Sequence, residues 1–262
     1  MSEFETLRWE LDEQVVTLTL DRPEKKNAMS WTMFQEIGAA FERAASDDGV
    51  RCVVITGAGD GFCSGADLTD QANMVTTSFE MKDRMRTIHR IARGVMTCPK
   101  PTLARVTGVA AGAGCNLALS CDLIVASTQA SFAELFVKRG LVVDFGGSWA
   151  LTRLLPLHRA KELALLGETI GAAEAWELGL LNRLCEPDEV DAVVKDLSRR
   201  LAALPPRTVT QIKENLNRAP ERSIEENLDA ESVAQSLVFT SEDTREAVMA
   251  WVEKREPRFK GR

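Results

Sequence analysis

The chain has 262 residues, 45% of them hydrophobic and 27% charged, enough for a sizeable core in one large domain or a domain with a helical appendage. Its net charge of −7 disfavours a general nucleic-acid or anionic-membrane binder, because both need a basic surface facing phosphate. No apolar run reaches the ~20 residues that span a bilayer, and the acidic start, Met1 to Glu13, lacks the apolar stretch of a signal peptide, so a cytoplasmic location is expected.

Val15–Leu20 (VVTLTL) is rich in β-branched residues and predicts a strand. A polar turn, Asp21–Asn27, leads to a helix over Trp31–Ala45. Cys52–Thr56 predicts a buried strand, followed by a glycine-rich loop, Gly57–Gly65, and a polar, Met-containing helical region from about Thr69 to Gly94. The grammar then repeats: strand Pro101–Val106, tight loop Gly108–Gly114, short apolar helix Cys115–Ser120, strand Cys121–Ser127. A loop around Gly140–Gly147 precedes a helix starting near Ser148. Strands alternating with helices predict an α/β core. From Pro187 onward the pattern is helical: Glu189–Leu204, Thr208–Asn217, Ser223–Leu237 and Ser241–Lys254, with Ser223 and Ser241 suited to cap the last two. Residues 1–204 therefore read as the core, and 205–262 as a helical subdomain serving assembly and active-site closure.

The 6 cysteines, Cys52, Cys63, Cys98, Cys115, Cys121 and Cys185, show no CxxC spacing, and only His89 and His158 could join them at a metal. Reduced core thiols and no metal site are expected.

Two loops carry the chemistry, Gly61–Leu68 (GFCSGADL) and Gly108–Asn116 (GVAAGAGCN). Each joins a strand to a helix start, where glycine lets the backbone approach a ligand and free N–H groups can converge on a negative oxygen. The GxGxxG of dinucleotide sites, the Gly-Lys-Ser/Thr of a P-loop and the GxSxG nucleophile elbow are all absent. Singly, each loop is equally compatible with a structural tight turn.

Together, GFCSGADL and GVAAGAGCNLALSCDLIVAS resemble the signature of the crotonase, or enoyl-CoA hydratase/isomerase, superfamily. The resemblance continues through Arg22-Pro23…Asn27-Ala28, Gly140–Ser148 (GLVVDFGGS) and the ending Glu253–Arg262. It implies a ClpP-like spiral of ββα units with a helical C-terminal part, assembled as a homotrimer or a dimer of trimers. It implies an acyl-CoA substrate and no separate cofactor, with the backbone N–H groups of Ala66 and Ala113 as an oxyanion hole for the thioester carbonyl. Where hydratases usually carry glycine at the second donor position, this chain has Ala113. Substrate-contacting positions implied by position are Lys25, Ala28, Ser64, Gly65, Asp67, Leu68, Gly112, Gly114, Asn116, Phe136, Phe259 and Lys260. Asp67 is expected to cap the following helix rather than act as an acid, and Asp122 to be structural. Phe259 and Lys260 match a tail that often reaches CoA, sometimes from a neighbouring subunit; a solvated basic tail is the competing reading of Lys260.

Enoyl-CoA hydratases are similar to one another in using two glutamates on one water. At the matching positions this chain has Asn116 and Phe136, neither of which can serve as acid or base. Glu134 stands two residues too early. A carboxylate does appear at Asp144, eight positions beyond Phe136, where dienoyl-CoA isomerases and phenylacetyl-CoA-pathway ring-epoxide isomerases resemble this chain in having aspartate. The stretch GLVVDFGGSW is most similar to the latter. An apolar setting between Val143 and Phe145 would raise the Asp144 pKa and suit it to proton transfer; a helix cap is the alternative role. The resemblance thus implies an isomerase that shifts a double bond or rearranges a ring. A 2-enoyl-CoA hydratase using Glu134 or a water held by Asn116, and a decayed acyl-CoA-binding scaffold, remain as alternatives.

Overall fold

The computed structural model describes residues 4–73 and 75–262. Met74, inside the region predicted as helical, and the first three residues of the acidic N-terminus lie outside them. The central sheet contains β1 (Leu7–Asp12), β2 (Val15–Leu20), β3 (Cys52–Gly57), β4 (Thr102–Val106), β6 (Leu123–Ser127) and β9 (Arg183–Cys185), in the order β1-β2-β3-β4-β6-β9. All neighbours pair in parallel except β1, which runs antiparallel to β2 at one edge. Every residue of β3 is buried, as a parallel strand covered on both faces requires. Its side chains alternate between two cores. Val53 and Ile55 enter the larger one, with Phe34, Ile37 and Phe41 of α1 (Trp31–Ser46) and Ile88, Ile91 and Val95 of α2 (Ser78–Met96). Cys52 and Val54 meet Val190 and Val194 of α7 (Val190–Ala202) on the other face.

A second layer is built from three short strands, β5 (Val109–Ala111), β7 (Ser131–Ala133) and β8 (Thr169–Gly171), in that order. Single bridges, Met29 to Ala66 and Cys63 to Ala110, extend it. Each pass of the chain thus lays a strand in the large sheet, an extended segment in the second layer and then a helix: α1, α2 and α3 (Ala113–Leu119) in succession. This is the expected spiral of ββα units.

The boundaries differ from expectation in three places. β1 was not predicted: its charged residues suit an edge strand, and only Leu7 of the six is buried. The segment 108–114 is not one loop, since it holds β5 and the first turn of α3. Helix α2 starts at Ser78 rather than Thr69 because Thr77 and Glu80 form a reciprocal capping box there.

After β7 come α4 (Gly147–Leu154), α5 (Leu157–Leu166) and α6 (Ala172–Glu177). The chain ends with α8 (Pro206–Arg218), α9 (Ile224–Phe239) and α10 (Glu242–Glu253), the last two capped by Ser223 and Ser241 as the sequence predicts. Helix α8 is fastened to the core. Lys213 Nζ lies 2.7 Å from the Asp122 carboxylate, and Thr210 Oγ1 donates to the Pro99 carbonyl at 2.8 Å. Asp122 also accepts from Thr102 N and Oγ1, the structural role expected of it. Among the described residues no helix is long and apolar enough to cross a membrane, and no group of three or more His, Cys, Asp or Glu is placed to hold a metal. Five of the cysteines are buried, and all six are free thiols.

Candidate active site

The first loop is stitched together by two polar side chains. Buried Asn27, at φ 55°, donates to the Ala58 and Gly61 carbonyls at 2.8 and 2.9 Å and accepts from Arg22 N. Arg22 donates to the Ala28 carbonyl at 2.6 Å and to Asp67 at 3.0 Å, while Ser64 N donates to the Lys26 carbonyl at 3.0 Å. Lys25, Ala28, Ser64, Gly65, Ala66 and Asp67 are thereby brought together, with Leu68 exposed at their edge. The expected cap is corrected here. Asp67 does not start α2, because Thr77 does that; its carboxylate instead accepts from Thr69 N and Oγ1 and pairs with Arg22. The Thr69 hydroxyl, with Arg22 behind it, holds this carboxyl below its usual range.

The two glycine loops touch backbone to backbone. Gly65 has φ +101°, and a Cβ there would lie 2.9 Å from the Ala111 carbonyl oxygen and 3.8 Å from Ala113 N. A Cβ on Gly114 would meet the Cys63 carbonyl at 2.4 Å. Glycine is therefore required at both for the approach. Met29 N donates to Gly65 O and Asp67 N to Met29 O, which turns the intervening Ala66 N–H away from that bridge. Ala113 is the first residue of α3, where helix N–H groups have no intrahelical acceptor. Neither N–H has an acceptor among the described residues, so two free donors sit on adjoining segments, one in the first loop and one at the start of α3. Phe136 packs over Gly112, its Cζ 3.9 Å from where a Cβ would stand.

Asp144 sits in a tight turn before α4. Phe145 holds a left-handed φ of 51°, and Gly146 one of 78°. That conformation costs a bulky residue about 1–3 kcal/mol, and here the Phe145 ring is fully buried against Phe34, with centroids 6.2 Å apart. The Asp144 carbonyl accepts from Gly147 N and Asn116 Nδ2, both at 2.9 Å. The Asp144 side chain caps nothing: α4 begins at the Gly146 N-cap, and Asp144 Oδ1 is buried with no partner among the described residues. Burial pushes the Asp144 carboxyl up to about 6. Behind it lies Glu134, 2% exposed, with Oε2 3.4 Å from Asn116 Nδ2. Burial raises Glu134 to about 8, against hydrogen bonds from Cys115 and Asn116 and with the Asp144 charge adding to the rise.

Asp144 also forms part of the wall of a cavity of about 830 Å³ between α2, α4 and α8, lined by Ala92, Met96, Val143, Trp149 and Asn217 among others. These lining residues carry no motif and were not singled out from the sequence. A hollow of about 350 Å³ between the sheet and α7 pairs Arg105 with Asp191 and holds none of the expected residues.

Phe259 and Lys260 are not brought to the loops of their own chain. The Phe259 carbonyl accepts from Arg51 at 2.8 Å, and Lys260 N donates to Asp243 of α10. Arg51 precedes β3, whereas the Gly57–Gly65 loop leaves its other end, about 20 Å away for six extended residues.

A parallel spiral core, two apposed glycine loops and a buried acid beside a cavity make up the candidate site of an α/β protein. The family model of enoyl-CoA hydratase/isomerase matches residues 10–262. The chain is 36% identical over 256 residues to the 1,2-epoxyphenylacetyl-CoA isomerase of Escherichia coli K12, covering 96% of this chain and 97% of that one. It is 36% identical to a "probable enoyl-CoA hydratase" of Rhodobacter capsulatus, over 99% of both chains. The crystal structure of an enoyl-CoA hydratase from Polaromonas sp. JS666 superposes with a TM-score of 0.91 at 33% identity, covering 97% of this chain and 99% of that one. This chain belongs to the enoyl-CoA hydratase/isomerase family and is an enzyme of the crotonase fold.

Proposed function

We propose that the protein is an acyl-CoA isomerase, shifting a double bond or rearranging a ring in an unsaturated CoA thioester. The thioester carbonyl lies between Ala66 N–H and Ala113 N–H. Fixed donors of this kind contribute about 3–4 kcal/mol each to an enolate-forming transition state. Asp144 then removes a proton from C2 of a 3-enoyl thioester, giving a dienolate, and returns the same proton at C4. The double bond moves into conjugation and no water is added. CoA belongs to the substrate, so no separate cofactor takes part.

The observation that carries this reading is the carboxyl inventory. The two positions at which hydratases keep glutamates hold Asn116 and Phe136, while the acid facing the cavity, Asp144, is poised near neutrality. An acid with a pKa near the working pH can both take and give a proton. In the same reading Lys25, Ala28, Ser64, Gly65, Asp67 and Leu68 lie along the CoA, and Gly112, Gly114, Asn116 and Phe136 around the acyl group. The chain works as a trimer or pair of trimers, in which Phe259 and Lys260 meet the CoA of a neighbour.

The test is to supply the protein with a 3-enoyl-CoA and, separately, with crotonyl-CoA, following the absorbance of the conjugated thioester. Appearance of conjugation from the first and persistence in the second is expected. Rapid loss of absorbance from crotonyl-CoA, with no isomerisation, would make the protein a hydratase instead. Binding of both esters without turnover would make it a scaffold.

A further inference from the structure

Glu134 is the buried carboxyl that proton transfer by Asp144 leaves unused. Its side chain is enclosed by Cys115, Leu119, Phe132, Leu151 and Ile170, almost without free volume. An ionised carboxylate in such a chamber needs several donors. Glu134 Oε1 has none among the described residues and Oε2 has Asn116 Nδ2 at a long 3.4 Å, with the Cys115 thiol as the carboxyl's other neighbour. Asn116 Oδ1, on the carboxamide that reaches Glu134, is likewise buried without a donor among the described residues. A proton on Glu134 gives this pair the donor it lacks. The same Nδ2 that reaches Glu134 also donates to the Asp144 carbonyl at 2.9 Å, so the carboxamide bridges the two acids' segments.

We propose that Glu134 is a positioning residue: it stays protonated beneath Asn116, holds the Asn116 carboxamide in one orientation and so fixes the turn that presents Asp144. The inference rests on the reading of Asp144 as the base. Two titratable groups act on Glu134: the Cys115 thiol, which burial keeps protonated, and Asp144. Glu134 ionises as the pH rises through about 8. That places a second negative charge beside Asp144 and the enolate, so turnover falls in the alkaline range.

The test compares wild type with Glu134→Gln, which keeps a neutral hydrogen-bonding head, and Glu134→Leu, which keeps bulk but no polar atom. Glu134→Gln is expected to keep kcat for 3-enoyl-CoA isomerisation within about threefold at neutral pH and to lose the alkaline decline. Glu134→Leu is expected to lower kcat about 10–100-fold with little change in KM. A Glu134→Gln variant as inactive as Asp144→Asn would make Glu134 an acid in the chemistry, and a fully active Glu134→Leu would make it filler; either overturns the proposal. A readout free of turnover comes from carboxyl infrared difference spectra. A protonated carboxyl band is expected at neutral pH that Glu134→Gln removes and Asp144→Asn keeps, together with an Asp144 titration that Glu134→Leu displaces and Glu134→Gln does not. Absence of that band, or an Asp144 titration unmoved by Glu134→Leu, sinks the inference. Both signals present in a protein without isomerase activity would sink the isomerase reading alone.

Discussion

At the scale of single residues, Asp144 separates stability from activity. Its carboxyl titrates near 6 in the fold against an ordinary 3.8, so the folded state binds the proton more tightly than the unfolded chain. The stability it contributes is complete below about 3.8 and is lost as pH climbs through about 6. In the proposed mechanism activity runs the other way, because Asp144 must be ionised to accept a proton. The kcat/KM for isomerisation should therefore rise tenfold per pH unit on the acid side of about 6 and level off above it until Glu134 ionises near 8. Asp144→Asn should lower kcat by about 10²–10⁴-fold while leaving the Kd for a saturated acyl-CoA within about twofold, checked by steady-state kinetics beside calorimetric titration. Undiminished turnover would remove Asp144 from the chemistry. The spacing of Asn116, Phe136 and Asp144 was readable in the sequence, since each holds a fixed offset from a glycine. The placement of Glu134 was not. Its offset fits no motif, and only the folding of β7 behind α3 turns it into a buried partner of Asn116.

At the scale of elements, the geometry of the two free amides depends on how closely segment 63–66 lies against β5. Gly65→Ala would drive a methyl to 2.9 Å from the Ala111 carbonyl in a backbone conformation that alanine resists. The strand must shift, and the Ala66 N–H with it. The expected result is a loss of about 10²–10³-fold in kcat with the fold retained by circular dichroism; wild-type turnover would mean that the Ala66 amide is not a donor. The fastening of α8 is a separate element-level device. Lys213 is nearly enclosed where it meets Asp122, and removing one partner of such a pair leaves the other charge poorly compensated. Lys213→Met should cost on the order of 3 kcal/mol and lower Tm by about 5–10 °C in a thermal melt. The long helices and central strands were legible because capping serines, β-branched runs and proline breaks are local signals. β5, β7 and β8 were not, because a strand of 3 residues is too short to display an alternation. Their existence is dictated by neighbours far away in the chain.

At the scale of the whole molecule, the C-terminal helices carry the apolar surface on which the proposed assembly depends. Helices α9 and α10 expose Leu237, Phe239, Val248 and Val252, and Trp251 is 82% exposed, a concentration of large apolar surface that isolated monomers seldom carry. The tail beyond α10 is nonetheless ordered against its own core, with Lys260 N and Gly261 N donating to buried Asp243 at 2.6 and 2.8 Å. A tail held this firmly at the far end of β3 serves its own site poorly, yet it is well placed to serve another chain that docks on that side. Copies related by a closed rotation would bury the helical faces and deliver Phe259 and Lys260 to neighbouring sites at the same time. Sedimentation should accordingly give a mass of three or six times 28.8 kDa. The double variant Leu237→Asp with Trp251→Asp should shift that mass downward by loading charge onto the buried faces. Lys260→Ala should raise KM for the CoA ester several-fold with kcat nearly unchanged, as expected for a contact made equally in the ground and transition states. A protein that sediments as one chain at full activity, or a Lys260→Ala variant with unaltered KM, would return the tail to a purely structural role and leave each site to its own subunit.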